Sequence, residues 1–198
     1  MIPGDPLDTV VAVLRRGGVA GVPTDTVYGI ACRPDDRAAL DRVYAIKRRP
    51  EGMEVGLLAA DAADLQPLVI MGPTARRLAA AHWPGGLSLV VPAVPGRGLA
   101  VPRRGTSLMV RVPDHALLRE LLRRTGPLAV TSANRHGEPA CASAVEVAAR
   151  LDGELDALLD GGHGDGRGST IIDCTEDPPR VLRTGPLTLQ QLEPHLGG

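Results

Sequence analysis

The chain has 198 residues, 43% of them hydrophobic and 23% charged, with a formal net charge of −1; that length suits one domain, or one domain with a subsidiary lobe, and is enough to bury a sizeable core. The near-neutral balance argues against a general nucleic-acid binder, which would carry a net basic face, while leaving room for a local basic pocket. Aromatic residues make up 2% and Phe is absent, so the core must be aliphatic, and Cys32, Cys141 and Cys174 are too few and too scattered for a disulfide framework or a CxxC zinc site.

In chain order, residues 6–14 predict a helix with Leu7, Val10, Val11 and Leu14 on one face and Gly17 and Gly18 stopping it. VAGVPT, from Val19, suits a buried strand, and TDTVYGIAC reads as a turn. Asp35 or Asp36 then caps a helix carrying Leu40, Val43, Tyr44 and Ile46, which delivers Lys47 and Arg49 at its C-terminal end before Pro50 closes it. EVGLLAA predicts a strand and PTARRLAAAHW a helix with Pro in its first turn. LSLVVPAV and SLMVRVP are strand-like and are joined by a Gly-, Pro- and Arg-rich loop. DHALLRELLRRTG is an amphipathic helix, capped by Asp114 and closed by Gly126. PLAVTSAN is a strand breaking into a polar turn, SAVEVAARL a helix, STIIDCT and RVLRTG short strands, and LTLQQLEPHL a final helix. Helices and strands alternate, which predicts an α/β fold with a single mixed sheet. Free thiols fit a reducing cytosol. The N-terminus has no signal-peptide pattern, and no apolar run approaches membrane-spanning length.

Lys47 is the only lysine in the chain, beside 21 arginines. An arginine serves equally well at most surface positions but not where a compact ammonium is needed; a cation at a helix C-terminus also suits the helix dipole. Polar clusters end the apolar strands: Thr24, Asp25 and Thr26; Ser107, with Arg111 further along the same strand; Thr131, Ser132 and Asn134; and Ser169 with Thr170. Strand ends in open α/β sheets are where ligands usually bind. Arg111 is the sharpest of these, because a buried arginine needs an anionic partner and its fork suits a carboxylate or phosphate. The alternative is an arginine on the solvent face of an edge strand. The glycine-rich segment 161–169 matches neither a P-loop nor a dinucleotide fingerprint. The histidines His82, His115, His136, His163 and His195 show no metal spacing, so no metal site is expected. Asp152, Glu154 and Asp156 read as solvated charges. No nucleophile or general base stands out, which leaves positioning and charge stabilisation as the available chemistry.

PTDTVYGI, KRRP, WPGGLSLVV, VRVP, TSANRHGEP, GSTIID and VLRTG occur in this order, and in order and approximate spacing they resemble the YrdC-like family of threonylcarbamoyl-AMP synthases, in its short, single-domain form spanning residues 1–198. The family's KxR and SxN signature matches Lys47, Arg49, Ser132 and Asn134. The resemblance implies a twisted mixed β-sheet flanked by helices, with a deep, concave, basic cleft. It implies a cytoplasmic nucleotidyltransferase that joins L-threonine, bicarbonate and ATP, with Mg2+ arriving on the triphosphate, into threonylcarbamoyl-adenylate and pyrophosphate for tRNA modification. Other proteins would make the transfer to tRNA. By similarity, Lys47 and Arg49 neutralise phosphate charge. Thr26, Arg111, Val130 and Ser169 hold threonine, with Arg111 on its carboxylate and the Val130 carbonyl on its amine. Arg49, Ser107, Ser132, Asn134 and Arg183 line the nucleotide side. Met53, Glu54 and Leu58 depart from the family's Asn-Pro-Leu run and strand histidine, and His136 replaces a serine. Those departures keep open a divergent paralogue acting on a related carbamoyl-adenylate; a non-catalytic RNA-binding module is the other alternative.

Overall fold

The computed structural model describes residues 5–48, 55–101 and 106–196. Helix α1 (Pro6–Arg15) starts where the Asp5 carboxylate accepts the Leu7 N–H at 3.0 Å, with Pro6 in the first turn. Strands β1 (Ala20–Val22) and β2 (Gly29–Cys32) pair antiparallel. The expected turn over residues 24–32 is therefore too long: Gly29–Cys32 is a fully buried strand, hidden from a propensity reading because it lacks the β-branched alternation that marks strands. Asp36 caps α2 (Arg37–Lys47) by accepting the Ala39 N–H at 3.0 Å, and the helix ends at Arg48 in a left-handed conformation (φ 48°). Arg49, Pro50, Met53 and Glu54 lie outside the described residues.

β3 (Gly56–Leu58), the unanticipated short helix α3 (Ala62–Leu65), α4 (Pro73–His82), β4 (Leu87–Pro92) and β5 (Ser107–Arg111) follow. α5 (Ala116–Thr125) is capped by His115, whose Nδ1 accepts the Leu118 N–H at 3.4 Å, and not by Asp114, which sits one residue too early and stays exposed. β6 (Leu128–Ser132) and α6 (Ala144–Leu151), capped by Ser143, come next. The unanticipated β7 (Ala157–Leu158), then β8 (Thr170–Asp173), β9 (Arg180–Arg183) and α7 (Leu189–Leu196), complete the chain. Two charges expected to be solvated also find partners, Asp156 while staying exposed and Glu154 half-buried. Asp156 accepts the Val19 N–H at 2.7 Å and pairs with Arg42, and Glu154 pairs with Arg135.

The described strands form one mixed sheet in the order β7-β1-β2-β6-β3-β5-β4-β8-β9. β1–β7, β3–β5 and β4–β8 are parallel and the other pairs antiparallel. One face is covered by α2, α4, α6 and α7, with Leu40, Leu78, Val147 and Leu192 packed on Leu57, Leu89 and Val110. The other face is covered from β7 to β3 by α1 and α5, where Leu14, Leu118 and Leu121 meet Ala20, Ala31 and Leu128. That second helical layer does not extend over β5, β4 and β8. Period-two alternation puts Leu108 and Val110 in the closed core and turns Met109 and Arg111 toward the open side.

Candidate functional site

The open side of β5, β4 and β8 forms a cavity of about 770 Å³, walled by the 24–29 segment, the end of α2, β3, β6 with its following turn, and residues 166–171 and 183–185. Most residues singled out from sequence meet here: Thr26, Lys47, Arg111, Val130, Ser132, Asn134, Ser169 and Arg183 all line it. Ser107 does not. It is buried at the start of β5, on the same strand face as Met109 and Arg111 but outside the cavity lining. β5 lies between β3 and β4, so Arg111 is not the solvent-facing arginine of an edge strand.

Lys47 is 3% exposed. Its Nζ donates to the carbonyls of Ser132 (2.5 Å) and Asn134 (3.0 Å) and to Asn134 Oδ1 (2.9 Å). The same amide oxygen accepts the Ser132 hydroxyl at 2.6 Å, while Asn134 Nδ2 donates to the carbonyls of Arg135 and Glu138. The His136 N–H donates to the Lys47 carbonyl at 2.8 Å. The lysine at the end of α2 therefore gathers the turn after β6 into one fixed wall, with Ser132 and Asn134 at the cavity surface.

Arg111, 5% exposed, crosses the cavity floor. Its Nε donates to the Gly85 carbonyl (2.9 Å), Nη1 to Thr26 Oγ1 (2.8 Å) and Nη2 to Asp25 Oδ1 (2.6 Å). Burial pushes this guanidinium below its ordinary range, and the Asp25 carboxylate opposes that push. The Thr24 hydroxyl donates to the Val27 carbonyl at 2.7 Å, so its single proton is committed. The Thr24 oxygen accepts the Thr26 and Val27 N–H groups at 3.0 and 3.1 Å and lies 2.9 Å from the Thr26 hydroxyl, to which it has no proton left to give. With Arg111 donating to it, the Thr26 oxygen keeps one lone pair for a ligand donor.

Ser88 and Ser169 share a 2.8 Å hydroxyl contact beside Arg183, whose Nε donates to the Ser169 carbonyl at 2.9 Å. Burial lowers the Arg183 guanidinium, and among the described residues no carboxylate pairs with it. An arginine in that state is a ready partner for a phosphate oxygen. The glycine-rich segment 161–168 is pinned against the 24–28 segment. Gly164, Asp165 and Gly166 donate to the carbonyls of Ala142, Asp25 and Thr26, and the Tyr28 hydroxyl bridges Gly161 and Gly162. A Cβ on Gly164 would stand 2.5 Å from the Thr26 carbonyl oxygen, so only glycine permits this approach. Leu58 and Val130 supply an apolar wall. Sequence reasoning passed over Ser88, hidden inside an apolar strand, and the Gly85 carbonyl, which no side-chain pattern reveals. Asp25 stood in a noted cluster, but its partner is 86 residues away in the chain.

The family model for Sua5, YciO and YrdC, described as telomere recombination, matches residues 12–185. A threonylcarbamoyl-AMP synthase of Chromohalobacter salexigens is 44% identical over 175 residues, covering 85% of this chain and 92% of that protein. The crystal structure of Pyrococcus abyssi Sua5 complexed with L-threonine superposes with a TM-score of 0.89 at 34% identity, covering 96% of this chain; this chain spans 57% of that one. Escherichia coli YciO superposes with a TM-score of 0.84 at 27% identity, covering 94% of this chain and 92% of that one. With its sheet, its cavity and its motifs in register, this chain belongs to the Sua5/YciO/YrdC family.

Proposed function

We propose that the chain is a threonylcarbamoyl-AMP synthase, a nucleotidyltransferase that condenses L-threonine, bicarbonate and ATP. The observation that carries this reading is the buried Arg111 on the cavity floor, with Thr26 beside it and Lys47 and Arg183 in the cavity lining. Threonine's carboxylate pairs with Arg111, and its amine donates to the free lone pair of Thr26 and to the Val130 carbonyl. Bicarbonate and the amine condense to a carbamate with loss of water. A carbamate oxygen then attacks the α-phosphorus, and pyrophosphate leaves. Ser132, Asn134, Arg183 and Ser169 line the path of the nucleotide. Lys47 fixes the 132–134 wall and adds positive charge where phosphate charge builds. A walled cavity protects the carbamate, which water would decompose. Among the described residues no group of three His, Cys, Asp or Glu forms a metal cage. Mg2+ in this reading is held by the triphosphate it arrives with.

The product supplies threonylcarbamoylation of tRNA, carried out by partner proteins. Among the described residues no helix is long and apolar enough to cross a membrane. A second reading, a related carbamoyl-adenylate, is favoured by Leu58, which puts an aliphatic side chain in the wall where the sequence resemblance implies a histidine. Both are tested by pyrophosphate release from ATP in bicarbonate buffer with each amino acid added singly. Threonine-dependent release is expected; release with another amino acid alone would select the second reading.

A further inference from the structure

Arg111 carries more than a ligand-facing charge. A guanidinium has five N–H donors in a plane. One goes to Gly85, one to Thr26 and one to Asp25, which among the described residues leaves one N–H on each terminal nitrogen. Each of those two N–H groups can donate to a ligand carboxylate. Gly85 and Thr26 are neutral acceptors, and a guanidinium this deeply buried is costly without an anion. Asp25, with its side chain 19% exposed against 6% for Arg111, supplies that anion when the cavity holds no ligand.

The backbone of Asp25 is also fixed in place. Thr24 and Thr26 on either side of it are locked by hydroxyl bonds, and its own carbonyl accepts the Asp165 N–H at 3.1 Å. The carboxylate takes its 2.6 Å bond from Arg111 Nη2 off this tied backbone. It spends a single N–H of the fork, so a ligand carboxylate has no need to expel it. We propose that Asp25 is the positioning residue for Arg111: it locks the guanidinium plane at the cavity floor while one N–H on each terminal nitrogen stays uncommitted among the described residues, and thereby sets the affinity for threonine. This rests on the synthase reading above for the identity of the ligand, and on the geometry alone for the locking.

The test compares wild type with Asp25→Asn, which keeps the shape and removes the charge, and Asp25→Ala. Pyrophosphate release gives KM for threonine, KM for ATP and kcat, thermal unfolding reports the fold, and the Nε–H NMR signal of Arg111 reports the lock. Asp25→Ala is expected to raise KM for threonine roughly tenfold, the scale of one lost charge-assisted hydrogen bond. Asp25→Asn should raise it less, with kcat and KM for ATP within about threefold in both. The Arg111 signal should be sharp and slow to exchange in wild type, and broadened in both variants. Asp25→Asn carries the test if Asp25→Ala fails to fold. An unchanged or lower KM for threonine would overturn the proposal, as would a parallel loss of kcat, ATP affinity and melting temperature. If wild type does not use threonine, the synthase reading fails, and the Arg111 signal alone decides the lock: unchanged in Asp25→Asn, it overturns the proposal too.

Discussion

Lys47 and Arg111 are two buried cations of one cavity, and the protein holds them in opposite ways. Among the described residues, Lys47 donates to oxygens of the three-residue turn 132–134. Arg111 ties its strand to two distant segments, the 24–26 turn and Gly85. An ammonium is a compact donor that can gather nearby oxygens from several directions. A guanidinium is a rigid planar fork that can be shared, with protein on some edges and ligand on another. The lysine therefore shapes a wall, whereas the arginine presents a contact. Losing the first should damage nucleotide positioning along with the turn; losing the second should damage recognition of the amino acid.

The largest effect expected is for Lys47→Ala, with kcat falling by roughly 10²–10³, the range for removing one preorganised donor, while circular dichroism shows a folded protein. Lys47→Arg should not rescue it, because a planar fork cannot fill a cage built for an ammonium. Rescue by arginine would erase the distinction drawn between the two cations. Next in size is Arg111→Lys, expected to raise KM for threonine by about tenfold or more while KM for ATP stays near wild type. If KM for ATP rose in step, the division of the cavity into an amino-acid side and a nucleotide side would break.

Gly164→Ala should cost about 1–3 kcal/mol in unfolding free energy, the range for overpacking a filled site, because the new methyl would meet the Thr26 carbonyl at 2.5 Å. Through Thr26 it should also weaken threonine more than ATP, which sharpens the comparison. The smallest effect comes from outside the cavity. His82, at the end of α4, stacks edge-on with His195 of α7 at 5.2 Å, and its buried Nε2 has no hydrogen-bond partner among the described residues. Burial and the neighbouring His195 push the His82 imidazole below its ordinary value. The unfolded chain thus takes up this proton first, near about pH 6.5. The stability from neutral His82 is present above that pH and is lost as pH falls toward the depressed value. His82→Gln should flatten the drop in Tm on acidification and leave both KM values unchanged at neutral pH.

From the sequence alone, the aliphatic periodicity located α1, α2, α4, α5 and α6 and most strands, because a side chain's place in a 3.6- or two-residue repeat already says which face will be buried. It also put polar clusters at strand ends, marked Arg111 as the anomalous charge in an apolar strand, and carried the motif order that resembles one family. What it did not contain was pairing. β2 and β7 are strands because neighbours complete their ladders, not because Gly-Ile-Ala-Cys or Ala-Leu favours extension. His115 displaced Asp114 as a cap, Glu154 and Asp156 found distant arginines, and Ser107 stayed outside the cavity lining, all through the placement of segments far apart in the chain. Asp25 meets Arg111 across 86 residues because the β6-β3-β5 register and the missing helical layer set both at one floor. Local sequence dictates what each segment must bury; only the assembled sheet decides which buried charge meets which.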